Sequence, residues 1–165
     1  MRHALHAGFW FAAAALLSGC GGYHMGSLVP SDIRTVHVEV FDNATFRREL
    51  ELGLTEAVQQ EIRRRTHLRM ADRATADSVL TGEIVDFRQR TEARGVEDEI
   101  LTQDVTVFVD IRWTDRRTGR VLAEAAGLKR PVRLLCPRSE TVRGGAFESF
   151  RFLAEIIVDQ MEGGW

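Results

Sequence analysis

Val105, Val107, Val109, Ile111 and Trp113 occupy alternate positions without a break. Side chains on a strand point to opposite faces with a period of two, so this stretch is a strand with one dry face and one wet one. A sheet face of that kind is costly to leave in water, and other parts of the chain have to cover it.

Two stretches have the period needed for the cover. Leu50, Leu54, Ala57, Val58 and Ile62 fall on one side of a helix, as do Phe150, Leu153, Ala154, Ile157, Val158 and Met161. Asp42, Asn43 and Thr45 can cap free amides ahead of the first helix. Glu49 and Glu51 stand near its start and Arg63, Arg64 and Arg65 near its end, each sign where it complements the helix dipole, so the helix should stop near Thr66. Gly163-Gly164 stops the second helix, while Gly144-Gly145 leaves its start open.

The other strands are shorter or less regular. Val36, Val38 and Val40 alternate with Thr35, His37 and Glu39, which predicts the first strand. Leu68-Arg69-Met70 reads as a short strand and Val79 to Arg90 as a longer one, joined as a hairpin through Asp72 to Asp77. Thr91 to Thr102, with its acidic residues around Gly95, reads as a solvated excursion. Asp115-Arg116-Arg117-Thr118-Gly119 is turn chemistry, and Val121 to Lys129 returns as a partner strand before a loop holding Pro131, Cys136 and Pro137. The fold class that follows is α+β: a two-layer sandwich in β-α-β-β-β-β-α order, with two helices packed on one face of a mixed, mostly antiparallel sheet.

The amino terminus is of a different kind. Met1-Arg2-His3 precedes an apolar stretch from Ala7 through Leu17, which is shorter than the roughly 20 residues a membrane-spanning helix needs. It is a signal-peptide pattern, and Leu17-Ser18-Gly19-Cys20 resembles the bacterial lipobox, an aliphatic residue and two small ones before a cysteine whose thiol can form a thioether to diacylglycerol; the alternative is a plain signal peptide whose cleavage site happens to contain a cysteine. Cleavage before Cys20 divides the chain into a removed signal peptide at 1–19, a Gly- and Pro-containing lipidated tether at 20–31, and a single domain at 32–165. Each acyl methylene buried in the membrane contributes about 0.8 kcal/mol, so several chains hold where one would not. An acylated Cys20 cannot pair with Cys136, so there is no disulfide framework. Cys136 reads as a buried apolar residue or as a thiol able to pair between molecules.

Motifs for chemistry are missing. His24, His37 and His67 have no metal-ligand spacing, and there is no Cys-x-x-Cys, Gly-x-Ser-x-Gly, Walker loop or dinucleotide fingerprint. Asp104 and Asp110 are six residues apart on one strand, about 20 Å, too far to flank one bond. Asp42 and Asp77 could approach in space, but a cap and a turn are the simpler roles. No catalytic residue, metal or cofactor is expected, and a formal charge of -2 gives no reason to expect nucleic acid. Among the basic residues, Arg63 to Arg65 suit a helix end, whereas Arg88 and Arg90 should share a sheet face and are the better candidates to fork onto an anionic ligand.

Cys20-Gly21-Gly22-Tyr23-His24, Ile33 to Val38, Phe41 to Phe46 and Ala76 to Ile84 resemble the lipopolysaccharide-assembly lipoprotein family, LptE. The resemblance covers most of the mature chain and is strongest through Phe87; beyond Thr91 only the order of strands and terminal helix agrees. It implies an outer-membrane lipoprotein facing the periplasm, a non-catalytic subunit that docks on a β-barrel translocon and helps deliver lipopolysaccharide to the cell surface. Gly21 and Gly22 stand where an aspartate commonly signals inner-membrane retention, which agrees with outer-membrane sorting. Lipoprotein subunits of envelope secretion channels and activators of periplasmic cell-wall synthases use similar small α+β domains and are the alternative.

Overall fold

The structure is a computed structural model that describes residues 29–30, 32–94, 100–135 and 142–163. Its elements in chain order are β1 (Thr35–Val38), β2 (Asp42–Asn43), α1 (Leu50–Arg65), β3 (Arg69–Met70), β4 (Ser78–Arg94), β5 (Ile100–Asp115), β6 (Val121–Leu135) and α2 (Val142–Gly163). They form an α+β fold in the expected order, with the two-residue β2 in addition. The strands lie side by side as β3-β1-β4-β5-β6, and β2 pairs with β4 further along the edge that β1 occupies.

The β4–β5–β6 meander is antiparallel, and its strands are 17, 16 and 15 residues long. Its inner face carries Val105, Val107, Val109, Ile111 and Trp113, all buried as the alternation requires. Leu54, Val58 and Ile62 of α1 and Leu153, Ile157, Val158 and Met161 of α2 form one core with Val107, Val109, Ile111 and Trp113. The helices meet closely at Gly53, where a Cβ would stand 2.6 Å from the Phe147 ring and 3.0 Å from Phe150. Beside this core the inner face continues as a smaller cluster of Val105 and Val132 with Phe87 and, from α2, Phe152.

Several local expectations need correcting. β3 and β4 do not form a hairpin: β1 lies between them and is parallel to both, which is why the sheet is mixed. Hairpin pairing lost because the β1 position is flanked on both sides by strands that keep Val36 and Val38 buried. Val40 is 58% exposed, although it continues the alternation of Val36 and Val38. The chain leaves the ladder after β1, and the Phe41 N–H donates to Thr55 Oγ1 on α1 at 3.0 Å, while that hydroxyl donates to Glu51 O at 2.7 Å. Phe41 takes the inward place and lies over Gly82, where any Cβ would overlap its ring and come within 2.9 Å of the Asp110 carbonyl.

The caps also differ in detail. Asn43 and Thr45 close the turn before α1 through Asn43 Oδ1, and Asn43 Nδ2 donates to Arg47 O and Glu51 Oε2, but the residue preceding the helix is Glu49 at φ 69° with no side-chain cap. The amide and Asn43 bonds hold the Glu51 carboxyl below its ordinary pKa. Thr66 ends α1, and Arg65 reaches Asp159 and Glu162 on α2, both at 2.7 Å. The expected excursion at Thr91 to Thr102 is mostly ladder, with Thr91 opposite Gln103 and Arg94 opposite Ile100; residues 95–99 lie outside the described residues. Likewise β6 runs through Pro131 to Leu135, and an edge strand is where a missing N–H is tolerated.

The β5–β6 turn follows its chemistry. Asp115 accepts from the amides of Arg117 and Thr118 and from the Thr118 hydroxyl, and Gly119 has φ 71°. The Thr118 hydroxyl, then the turn amides, hold the Asp115 carboxyl below its ordinary value. At the start of β4, Asp77 Oδ2 accepts from Thr35 Oγ1 at 2.8 Å and from the Arg34 and Thr35 amides at 3.0 Å, locking β1 onto β4.

Two outcomes follow from this packing. Leu54→Ala and Ile157→Ala should each cost about 2 to 5 kcal/mol in urea unfolding, because both side chains are fully enclosed. For Asp77, the Thr35 hydroxyl and the neighbouring amides lower the folded-state pKa. Its contribution is therefore present above the unfolded value of about 3.9 and is lost as pH falls through the folded value. Asp77→Asn should cost about 1 to 2 kcal/mol at neutral pH. The gap to wild type should close in denaturation midpoints measured toward strongly acidic pH.

Candidate anion-binding surface on the open sheet face

The helices cover only one face of the meander, so the other is free to present polar groups. Arg88 and Arg90 lie on that open face, both exposed, opposite Thr106 and Asp104 of β5. They owe this position to an irregularity. Leu80 and Ile84 are buried at even-numbered positions, so strict alternation would also turn Arg88 and Arg90 inward. The register shifts between Ile84 and Asp86, and from there the odd-numbered Phe87 packs toward the core while Asp86, Arg88 and Arg90 turn outward. A bulge has re-aimed the site.

A depression of about 300 Å³ on this face is lined by Arg88, Arg90, Asp104, Thr106, Phe108, Lys129 and Pro131. The Arg88 guanidinium stands 4.6 Å from the centre of the Phe108 ring, and Lys129 Nζ stands 5.3 Å from the same ring. Arg88 Nε donates to Asp86 Oδ2 at 2.7 Å, and Arg133 Nε donates to Asp104 Oδ1 at 3.0 Å. Among the described residues Arg88, Arg90, Lys129 and Arg133 thus gather around the carboxylates of Asp86 and Asp104, a local excess of positive charge on a chain whose formal charge is -2.

These ion pairs are exposed, so each is worth about 0 to 1 kcal/mol, and a phosphate or carboxylate ligand could displace a carboxylate partner at little cost. Guanidinium forks above an aromatic ring suit an amphiphile with an anionic head better than they suit bond-breaking chemistry. Lys129, Arg133 and Phe108 escaped the reading of the sequence because the ladder that joins them to Arg88 spans separations of up to 45 residues. One signal was available: Phe108 is an aromatic on the otherwise polar outward set of β5.

The remaining candidates separate. Asp104 pairs with Arg133, whereas Asp110 Oδ1 accepts from the Gly127 amide at 2.7 Å and holds a β6 bulge in which Gly127 has φ 66°. Asp77 sits at the start of β4 and Asp42 opposite Glu83, so they do not meet. His37 Nδ1 is 3.0 Å from Ala71 O and His67 Nε2 is 3.3 Å from Ile33 O. Among the described residues no group of three His, Cys, Asp or Glu side chains could hold a metal, and no helix is long and apolar enough to cross a membrane. Cys20 and Cys136 lie outside the described residues.

A sheet with both helices on one face and a charged, aromatic-bearing open face defines a small α+β domain of the helix-on-sheet kind. Residues 33–161 match the family model for lipopolysaccharide assembly, LptE, and the chain belongs to that family of cell-envelope lipoproteins. The family is non-enzymatic. No curated protein matches the chain. Similar solved structures include the hypothetical protein CT253 from Chlamydia trachomatis, with 12% identity, TM-score 0.51 and coverage of 78% of this chain and 98% of that one. An uncharacterized lipoprotein B from Nitrosomonas europaea aligns at 13% identity and TM-score 0.51, covering 87% and 90% of the two chains. A protein from Caulobacter crescentus aligns at 14% identity and TM-score 0.50, covering 74% and 88%. At these identities the likeness shows the fold.

Proposed function

We propose that this chain is processed before Cys20, is held by its lipid on the periplasmic side of the outer membrane, and docks as a stoichiometric, non-catalytic subunit on a β-barrel translocon that delivers lipopolysaccharide. The family match over residues 33–161 carries this reading, and the lipobox and the open basic face support it. In this reading Arg88 and Arg90, with Lys129 beside them, meet the phosphates of the glycolipid. The division of labour is physical: scattered rim charges contribute little to docking on a large protein surface, whereas paired guanidinium groups on phosphate form stronger, charge-assisted bonds. A secretion-channel or synthase-activator role has no comparable observation behind it.

Cys20→Ala should leave a folded protein that takes up no labelled fatty acid and is either unanchored or unprocessed. Incorporation of label by the alanine form, or a mature amino terminus elsewhere, would sink the lipoprotein assignment. Arg88→Glu with Arg90→Glu should weaken lipopolysaccharide binding by the purified domain about tenfold or more, since two charge-assisted contacts are reversed. Recovery of a large barrel from native membranes should change far less, and urea midpoints should shift little because both side chains are exposed. Unchanged glycolipid binding would remove the two arginines from the reading, and failure to recover any barrel would remove the docking.

A further inference from the structure

β1 and β2 run along β4 only as far as Ile84, where the Ala44 N–H donates to Ile84 O at 3.0 Å. Beyond the bulge no strand of the described residues pairs with that edge of β4. The direction of its main-chain groups follows from the alternation. Leu80 O and Ile84 O, on inward-facing residues, accept from Glu39 and Ala44 at this edge, and the inward-facing residues past the bulge are Phe87, Gln89 and Thr91. Their N–H and C=O groups therefore point to the open edge. Phe87 bears this out: its N–H is met by the adjacent Asp86 carboxylate at 2.8 Å rather than by a strand.

Beside this edge is a depression of about 260 Å³ whose lining includes Leu50, Phe87, Ala146 and Phe147. Arg47 lies along it, its guanidinium 4.5 Å from the Phe87 ring centre and Nη2 donating to Gln89 Oε1 at 3.0 Å. Phe46, next in the chain, is fully exposed, an unusual position for an aromatic unless something covers it. An open strand edge with an apolar pocket on one side and arginines on the other has the features used in strand addition, where main-chain bonds give affinity and alternate side chains give specificity.

We propose that the Phe87–Thr91 edge of β4 receives an extended acidic segment of a partner protein, whose alternate apolar side chains enter the pocket between Leu50, Phe87 and Phe147 while its carboxylates meet Arg88 and Arg90. Charge selects this occupant. Among the described residues Arg47, Arg48, Arg88 and Arg90 flank the edge against Glu49, Asp86 and Asp104, a balance that remains positive. A second copy of this chain is disfavoured, because antiparallel pairing centred on Gln89 would set Arg88 against the other copy's Arg90, and like charges directly opposite repel. A lipid could satisfy the charge and the pocket but could not supply the alternating amide donors and carbonyl acceptors.

The test titrates the full-length protein with a fluorescent seven-residue peptide, Glu-Val-Glu-Leu-Glu-Val-Glu, up to about 1 mM, the weak end of specific affinity. Saturable binding is expected, weakened about tenfold or more by N-methylation of alternate residues, which removes main-chain donors and leaves the side chains intact. A Lys-Val counterpart should bind at least about tenfold more weakly, as repulsion replaces attraction at the two arginines. Gln89→Pro removes an edge N–H that no strand uses and should abolish peptide binding while lipopolysaccharide binding persists, which separates this site from the glycolipid reading. No saturation, equal affinity for the N-methylated or the lysine peptide, or self-association through this edge would each overturn the proposal.

Discussion

The structure depends on burying one face of the β4–β5–β6 meander beneath two helices. Val107, Val109, Ile111 and Trp113 have no exposure to speak of, and neither do Leu54, Val58, Ile62, Leu153 and Ile157 above them. Hydrophobic burial of this kind is non-directional, so finer contacts set how the layers lie. Gly53 lets the two helices approach, Gly82 lets Phe41 lie flat on β4, and Thr55 ties the chain leaving β1 to α1. Polar bonds at the ends, Asp77 to β1 and Asp115 to its turn, fix the register in which the faces meet.

Covering one face leaves the other to present polar and charged groups. The two sides of β4 past Ile84 carry different chemistry because the bulge divides the strand: Asp86, Arg88 and Arg90 go to the open face, Phe87 and Gln89 to the side where α1 begins. The same bulge lies where β2 ends, so a rotated strand and an edge without a strand partner among the described residues arise together. Bulges are a common way for a sheet to re-aim side chains and end pairing next to a working surface. Arginines also do structural service there, since Arg47 covers Phe87 and Arg130 and Arg151 stand 5.4 and 4.7 Å from the Phe152 ring, where α2 packs on the smaller cluster of Val105 and Val132.

Much of this was legible in residue order. Period-two alternation at Val105 to Trp113 and four-residue spacing at Leu50 to Ile62 and Phe150 to Met161 are local consequences of backbone geometry, so they specify elements and their buried sides wherever those elements end up. The expectation of a lipobox at Leu17 to Cys20 is local for a related reason, because a peptidase would read such a segment in extended form before any fold exists. Val40 misled because its exposure is set by a hydrogen bond between residues 14 apart, and the hairpin assigned to Leu68 to Arg90 misled because adjacency in sequence does not exclude a third strand from between.

By itself, then, the amino-acid sequence determined the element types, the one-sided core, the α+β layering and the candidate pair Arg88 and Arg90. Tertiary structure alone decided that β1 is parallel to both its neighbours, that Phe41 replaces Val40 inside, that a bulge after Ile84 turns the two arginines outward, and that Phe108, Lys129 and Arg133 join them. The reason is one of range. Periodicity is set by a residue's own dihedral angles and nearest turns, whereas register, strand order and the company a side chain keeps on a sheet are set by ladders between segments far apart in the chain.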